Sequence, residues 1–223
     1  MRLVHTALGI DLPLDEMAPS IVTVENIERF TELVNELVRQ FQGENGGFIL
    51  SENEKQLSLS RYSTLIINPF SVSCNEKKIL TKIYSELGEE ASGLLAEQTV
   101  RVNSVLVEYL DQLTGRVHYP LQFNYELDIA GLLKLFDVKI EETETDLLTR
   151  MLNYIKLSHR VLGIRLFVLI GIKNYFSDNQ LTAMYHEFLN EKVQFLDFES
   201  RYIDKIDGER HTLIDKDWCF IQL

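Results

Sequence analysis

Residues 165–172 read RLFVLIGI, the most apolar strand-length stretch in this chain of 223 residues. A continuous apolar run of this kind, like residues 64–67 (TLII), is typical of a strand that is covered on both faces. Because further strands alternate with helices, the order predicts an α/β fold with a mostly parallel sheet and right-handed crossovers. Three of these strands are predicted at Ile21–Val24, Val193–Phe198 and His211–Ile214.

Local patterns predict the elements beside these strands. Apolar side chains recur at helical spacing over residues 27–41, and Asn26 is suited to cap the N-terminus of that helix. Residues 48–59 are predicted to form a hairpin with a polar turn at its centre. Ser177 is predicted to cap a helix that runs over residues 178–190.

The segment from residue 75 to about residue 113 has a different character. It contains no proline, and its apolar residues recur at helical spacing. Gly88 and Gly93 leave two alternatives open, one long helix or two shorter ones. An unbroken helix of nearly forty residues would span on the order of 55–60 Å, so it would project from a small domain.

Helical character continues over residues 129–136 and 145–162, before the α/β pattern returns. This order predicts an α/β head domain formed by residues 1–74 and 161–223. An inserted α-helical leg domain is predicted for residues 75–160.

The composition predicts a globular protein of the cytoplasm. Hydrophobic residues make up 45% of the chain, which is enough to bury a sizeable core. The two cysteines, Cys74 and Cys219, are far apart and are expected to be reduced thiols. We expect no signal peptide and no membrane association, because no stretch approaches the roughly 20 apolar residues that span a bilayer.

Sequence motifs of catalysis are absent, so an enzyme is not expected. None of the eleven glycines precedes a lysine, which excludes the phosphate-binding loop GxxxxGK[S/T]. The five histidines lack metal-ligand spacing. Asp197 and Glu199 could serve a divergent nucleotide hydrolase, but a polar strand face or strand end is favoured.

Oxygen-bearing side chains alternate at Asn124, Glu126 and Asp128. An extended segment would point all three the same way, and Asp111 precedes them. Because Ca²⁺ takes about six to eight oxygen ligands, these four are candidate calcium ligands. The alternative is that Asp128 caps the next helix while the others are solvated. The acidic run at residues 141–146 (EETETD) is expected to solvate a loop and the start of a helix.

The charge balance argues against nucleic acid as a partner, since the formal net charge is −12 and DNA-binding modules are usually basic. Phosphate attraction depends on local potential, however, so a surface lined with lysines could still bind DNA. Each small basic cluster could equally be an ordinary solvated face. The candidate DNA-binding residues are Lys77, Lys78, Lys82, Lys134, Lys156, Arg160 and Lys173.

An ordered set of segments resembles a known family. The set consists of VEN at residues 24–26, IINPFS at 66–71 with NEKKIL at 75–80, LGIRLFV at 162–168 with KNYFS at 173–177, and IDKDWC at 214–219. In this order and at these separations, they resemble the ring-forming adaptation protein of type II-A CRISPR systems, over the full length of the chain.

The resemblance implies a head related to P-loop ATPase folds but lacking nucleotide motifs, with an inserted helical leg. It implies a homotetrameric ring with a lysine-lined hole, stabilised by Ca²⁺. The ring would bind the ends of double-stranded DNA without sequence preference during spacer acquisition, beside the CRISPR integrase complex and the RNA-guided nuclease. A scaffold that bridges proteins without touching DNA is the remaining alternative, suggested by the acidic composition.

Overall fold

A computed structural model describes residues 1–143 and 146–223. Its elements in chain order are β1 (Arg2–His5), β2 (Ile10–Pro13), β3 (Ser20–Val24), α1 (Ile27–Phe41), β4 (Phe48–Glu52), β5 (Lys55–Leu57), α2 (Leu59–Tyr62), β6 (Ser63–Ile66), α3 (Lys77–Ser92), α4 (Ala96–Thr114), α5 (Ile129–Leu135), α6 (Leu147–Leu162), β7 (Leu166–Ile170), α7 (Asp178–Glu191), β8 (Gln194–Glu199), β9 (Arg210–Ile214) and β10 (Phe220–Gln222).

The chain divides into two compact units. Unit 1 comprises residues 1–74 and 142–223, and unit 2 comprises residues 75–141. The sequence placed residues 142–160 with the inserted helices, whereas in the structure they belong to unit 1. The reason is that α6 packs beside α7 and buries its apolar face there. Glu144 and Thr145, part of the predicted acidic run and helix start, lie outside the described residues.

Unit 1 contains a six-stranded sheet in the order β10-β9-β3-β8-β7-β6. Five neighbouring strands are parallel, and only the edge strand β10 runs antiparallel, beside β9. The prediction of a mostly parallel sheet with alternating helices is therefore confirmed for this sheet. β10 was not predicted, because three residues after a turn carry too weak a pattern.

A second sheet of unit 1 was not predicted. It is antiparallel, with four strands in the order β2-β1-β4-β5. The predicted hairpin is present as β4 and β5, whose turn residues Asn53 and Glu54 both have positive φ. β1 and β2 escaped prediction because each has only four residues and one face exposed.

The larger sheet is covered on both faces, as its apolar strands require. On one face, Val168 and Phe198 join a core with Leu33 and Leu37 of α1 and residues of the smaller sheet. On the other face, Phe167 and Phe195 pack edge-on against Phe188 of α7, with ring centroids 5.6 and 4.9 Å apart. The alternating side chains of each strand thus belong to two different cores.

Unit 2 is helical in its regular elements. The long apolar stretch forms two helices rather than one, because α3 ends at Ser92 and α4 begins at Ala96. Gly93 occupies the break with φ and ψ both near −100°. α3 packs against α4 and against α5, and it buries Ile79, Tyr84 and Ala91.

Candidate functional site

A buried polar cluster lies at the carboxyl ends of the central parallel strands. In the register, Ile21 of β3 stands between Asp197 of β8 and His211 of β9, and Thr23 stands beside Glu199. Neighbours in such rows share one face of a sheet. Asp197, Glu199, Thr23 and His211 are all buried. Both acids noted in the sequence are therefore on a covered face of a central strand.

Backbone N–H groups hold the two carboxyl groups. The N–H of Ile172 donates to Asp197 Oδ1 at 3.3 Å, and the N–H of Lys173 donates to Glu199 Oε1 at 3.0 Å. Burial, together with the charge of Glu199, raises the pKa of Asp197 well above its ordinary value. Burial also raises the pKa of Glu199. The two buried carboxyl groups therefore both favour their protonated forms more than exposed carboxyl groups do.

Lys173 provides the cation of the cluster. Its Nζ donates to Glu209 Oε2 at 2.8 Å and to the carbonyl of Asp204 at 3.1 Å. The hydroxyl of Tyr185 donates to the other oxygen of Glu209 at 2.6 Å. The sequence proposed Lys173 as a DNA contact, but its side chain is only 1% exposed. A buried, paired ammonium is not placed to meet phosphate.

His211 completes the row of buried polar side chains. Its Nε2 lies 2.9 Å from Thr23 Oγ1, and its ring stacks on that of Tyr202 at 5.5 Å. Burial, then the charge of Lys173, lowers the pKa of His211. Thr23, Asp197, Glu199 and His211 thus all lie inside the protein rather than at its surface.

The N-terminus of α1 follows the central strand β3, at the edge where α/β proteins often bind phosphate. Asn26 Oδ1 accepts hydrogen bonds from the N–H groups of Glu28 and Arg29 at 3.1 and 3.2 Å. The predicted cap is confirmed. The helix amides that would hold a phosphate are hydrogen-bonded to the chain's own side chain, and the acidic Glu25 precedes them.

Four of the predicted DNA contacts belong to unit 2. Lys77, Lys78 and Lys82 are exposed on α3, and Lys134 is exposed near the end of α5. Lys77 and Lys78 line a concavity of about 750 Å³ with Glu76 and Thr81. Within residues 1–143 and 146–223, Lys78 pairs with Glu76 at 3.3 Å, whereas the other three ammonium groups form no ion pair.

Two further predicted contacts lie in unit 1 and connect helices. Lys156 Nζ is 2.7 Å from Glu187 Oε2, and Arg160 Nη2 is 2.7 Å from Glu191 Oε1. Both pairs join α6 to α7. The structure thus separates the seven candidates into four exposed lysines of unit 2, two cations paired between helices, and the buried Lys173.

The predicted calcium ligands are brought together in part. Asn124, Glu126 and Asp128 line one concavity of about 560 Å³ with Tyr125 and Leu127. Asp128 occupies the N-cap position of α5, yet its carboxylate makes no capping hydrogen bond. Asp111 is exposed on α4 and is not among the described residues that line this concavity.

Carboxylate and amide oxygens are the kind of ligand that Ca²⁺ prefers, but three side chains supply fewer than the roughly six to eight oxygens that it takes. In the described part of the chain, no group of three acidic, histidine or cysteine side chains is arranged to hold a metal ion. A bound Ca²⁺ would therefore need main-chain carbonyls or water beside Asn124, Glu126 and Asp128.

An apolar stripe on α4 is left uncovered by the described residues. The helix has no buried side chain. Val105 and Tyr109 are 66% and 59% exposed, and Val102, Leu106 and Leu113 extend the same side of the helix. Uncovered apolar stripes of this length are typical of helices that pack against another chain.

Comparison with known proteins adds the decisive observation. Residues 40–218, well over half of the chain, match the family described as CRISPR-associated protein (Cas_Csn2). The chain belongs to the Csn2 family. Membership of the Csn2 family implies a CRISPR-associated role in adaptation.

Other comparisons are weaker. No curated protein matches the chain. Among solved structures, a Pyrococcus furiosus protein assigned as the ATP-binding protein of an ABC transporter shares 11% identity with a TM-score of 0.40, covering 91% of this chain and 88% of its own. A likeness of that size does not establish a shared function. None of the helices within residues 1–143 and 146–223 is long and apolar enough to cross a membrane.

Sequence reasoning missed Glu209 and Tyr185, the partners that hold Lys173 in place. Glu209 lies 36 residues from Lys173 and 24 from Tyr185 along the chain. No local pattern marks such a pairing, because it arises only when β7, α7 and β9 assemble.

Proposed function

We propose that this chain binds the ends of double-stranded DNA, without sequence preference, as a homotetrameric ring. It would act in the cytoplasm during spacer acquisition by a type II-A CRISPR system. Membership of the Csn2 family is the observation that carries this proposal. The CRISPR integrase complex and the RNA-guided nuclease are its proposed partners.

The exposed lysines of unit 2 are the proposed DNA surface. Ammonium groups that lack a carboxylate partner are free to meet phosphate, and sequence-independent binding needs no group that reads bases. Four copies facing one hole would concentrate positive potential there, although each chain carries a net charge of −12. The surface consists of Lys77, Lys82 and Lys134, together with Lys78, which pairs with Glu76.

The apolar stripe of α4 supports the oligomeric part of the proposal. Val102, Val105 and Tyr109 are large side chains that lose contact with water when a second copy covers them. Each square ångström of apolar surface removed from water contributes roughly 25 cal/mol. We assign the stripe to contacts between copies of the chain.

The same geometry supports a role without catalysis. A nucleotide hydrolase would need Asp197 or Glu199 to face a bound nucleotide and its cation, but both side chains are buried. The amides at the start of α1 already bond Asn26. We therefore favour DNA binding over nucleotide hydrolysis and expect no turnover of nucleotides.

Calcium enters the proposal as a structural ion of unit 2. Asn124, Glu126 and Asp128 would hold it, because their oxygens line one concavity and Asp128 is not engaged as a cap. A bound Ca²⁺ would supply positive charge that fixes the irregular segment before α5. Such an ion stabilises the folded state by mass action.

Gel shifts with linear and covalently closed circular duplexes test the function directly. We expect the linear duplex to shift, its binding to fall steeply with salt, and the circle to bind poorly. Equal retention of both forms would remove the end-binding proposal. Failure of the purified protein to shift either form at low salt would favour the protein-bridging scaffold instead.

A further inference from the structure

A cleft of about 720 Å³ opens in unit 1 beside the carboxyl ends of the neighbouring parallel strands β3 and β9. Three segments line it: residues 6–9 after β1, the start of α1 at Asn26 and Arg29, and residues 216–218 between β9 and β10. Ligand sites of α/β proteins commonly lie at this edge of the sheet, and ligand pockets measure about 300–1,000 Å³. The proposed DNA surface of unit 2 gives this cleft no role.

The wall of the cleft contains a fixed aromatic side chain, Trp218. Its Nε1–H donates to the carbonyl of Leu8 at 2.7 Å, and its ring packs against the hydrophobic core. The backbone of Trp218 has a φ of +67°, a left-handed conformation that is costly for a bulky residue. Such conformations persist only where surrounding contacts hold them, and they are frequent at ligand sites. The indole is therefore a rigid part of the cleft.

The indole in turn contacts a guanidinium group. Arg29 Cζ lies 5.8 Å from the centre of the Trp218 ring, within the distance of a cation–π contact. Arg29 also pairs with Glu32 at 3.2 Å, but both side chains are more than half exposed, so this pair is weak. A guanidinium presents a planar fork that matches two phosphate oxygens. A phosphate can therefore replace Glu32 as the partner of Arg29.

Two further charged residues line the cleft. Lys216 is exposed, and within residues 1–143 and 146–223 it forms no ion pair. Asp217 is also exposed, and its carboxylate opposes the binding of an anion. The first amides of α1 already bond Asn26, so a phosphate in the cleft would be held by side chains. Those side chains come from α1 and from the connection between β9 and β10.

We propose that this cleft binds a nucleotide with a phosphate monoester, held by Arg29 and Lys216 on its phosphate and by Trp218 beside its nucleoside. A phosphate alone would leave most of the 720 Å³ empty. Two sources share this chemistry, a free mononucleotide and the 5′-phosphorylated terminal nucleotide of a DNA strand. The second source rests on the proposed function. It would distinguish a DNA end from the interior of a duplex, where every phosphate is a diester.

Trp218 is the single tryptophan of the chain, so its fluorescence reports on this cleft alone. The full-length protein is titrated with deoxyadenosine monophosphate, with deoxyadenosine and with inorganic phosphate, while the Trp218 emission and the heat of binding are measured. The monophosphate should change the emission and bind roughly tenfold more tightly than either of its parts. An unchanged emission with the monophosphate, or equal affinity for one of the parts, would overturn the proposal.

Variants identify the groups that hold the phosphate. Arg29→Ala should weaken monophosphate binding roughly tenfold, and Arg29→Lys should restore little of it, because an ammonium lacks the planar fork. Arg39→Ala is the matched control, since Arg39 is also an exposed arginine of α1 paired with a glutamate, and it is not among the described residues that line the cleft. Equal losses in Arg29→Ala and Arg39→Ala would overturn the proposal.

The opposing carboxylate provides a test in the other direction. Asp217→Asn should strengthen monophosphate binding roughly twofold to threefold, because it removes a negative charge from the cleft. A damaged fold cannot produce such a gain. Unchanged or weaker binding in Asp217→Asn would contradict a phosphate at this position.

Two linear duplexes distinguish the two sources of the nucleotide. They are identical except that one has 5′-phosphates and the other has 5′-hydroxyls. Tighter binding of the phosphorylated duplex, lost in Arg29→Ala, would identify the DNA end as the ligand. Equal binding of both duplexes, with monophosphate binding intact, would identify the free nucleotide. If neither duplex binds while the monophosphate does, the proposed function fails and the cleft remains a nucleotide site.

Discussion

The hydroxyl of Tyr185 donates a 2.6 Å hydrogen bond to Glu209, and both side chains are buried. The same carboxylate accepts a hydrogen bond from Lys173. Glu209 therefore bonds both to the Tyr185 hydroxyl of α7 and to the Lys173 ammonium, which follows β7. A buried carboxylate that loses a donor bears the cost of desolvation without that compensation.

The Tyr185 contact predicts a loss of stability in Tyr185→Phe. We expect the free energy of unfolding to fall by about 1–3 kcal/mol, because a charged acceptor loses one donor in a buried site. Urea unfolding measures the change. Tyr175→Phe is the matched control, since Tyr175 is 44% exposed and should change stability by less than about 0.5 kcal/mol. Equal effects of the two variants would contradict the role of Glu209.

The raised pKa of Asp197 predicts a pH dependence of stability. The pKa of Asp197 is higher in the folded state than in the unfolded state. Between these two pKa values the folded state binds more protons than the unfolded state, so the contribution of Asp197 to the free energy of unfolding falls as the pH rises. Asp197→Asn keeps the neutral form at every pH. Its stability relative to the parent protein should therefore increase with pH from about pH 4 upward, by at most about 1.4 kcal/mol per pH unit.

Thermal unfolding of Asp197→Asn and the parent protein across that range provides the difference curve. The lowered pKa of His211 makes the free energy of unfolding rise with pH near neutral pH. Because both proteins contain His211, this contribution cancels in the difference curve. A flat difference curve for Asp197→Asn would show that folding does not raise the pKa of Asp197.

The exposed lysines of unit 2 predict how DNA affinity changes. Each of Lys77→Ala, Lys82→Ala and Lys134→Ala should weaken binding to all sequences alike and reduce the salt slope by about one for each copy of the chain whose lysine contacts DNA. Binding isotherms at several salt concentrations measure both quantities. Lys55→Ala is the control, because Lys55 is exposed in the β4–β5 hairpin of unit 1. Unchanged salt slopes in all three variants would show that DNA binds to a different surface of the protein.

The acidic concavity of unit 2 predicts a response to calcium. Chelation should lower the Tm of the parent protein, and Glu126→Gln or Asp128→Asn should make the Tm insensitive to added Ca²⁺. Asn retains the ability to occupy the cap position of α5, so Asp128→Asn tests charge alone. Glu86→Gln, on the exposed side of α3, should keep the full response. If chelation leaves the parent protein's Tm unchanged, the structural ion is not supported.

The apolar stripe of α4 predicts a change of oligomeric mass. Val105→Glu should lower the mass measured by light scattering, because it places a charge in the proposed contact between copies. Ser104→Glu adds the same charge on another side of the helix and should leave the mass unchanged. A parent protein that is monomeric at micromolar concentration would remove the ring itself.

Much of the fold could be predicted from local patterns. Residues 165–172 and 64–67 became β7 and β6, because long apolar runs can only lie where both faces are covered. Asn26 capped α1, since its side chain needs only the amides of the next turn. β1 and β2 were missed, because four-residue strands depend on pairing with distant β4 rather than on their own pattern.

By itself, the sequence determined the alternation of strands and helices, the helical character of unit 2, the lack of nucleotide motifs and the segments typical of the Csn2 family. Only the tertiary structure decided which charged side chains are exposed and able to contact a partner. Lys77 and Lys173 are the same residue type in the sequence, yet one is exposed and the other is buried against Glu209. The physical reason is that solvation and pairing of a charge depend on residues brought near by folding, which no local pattern records.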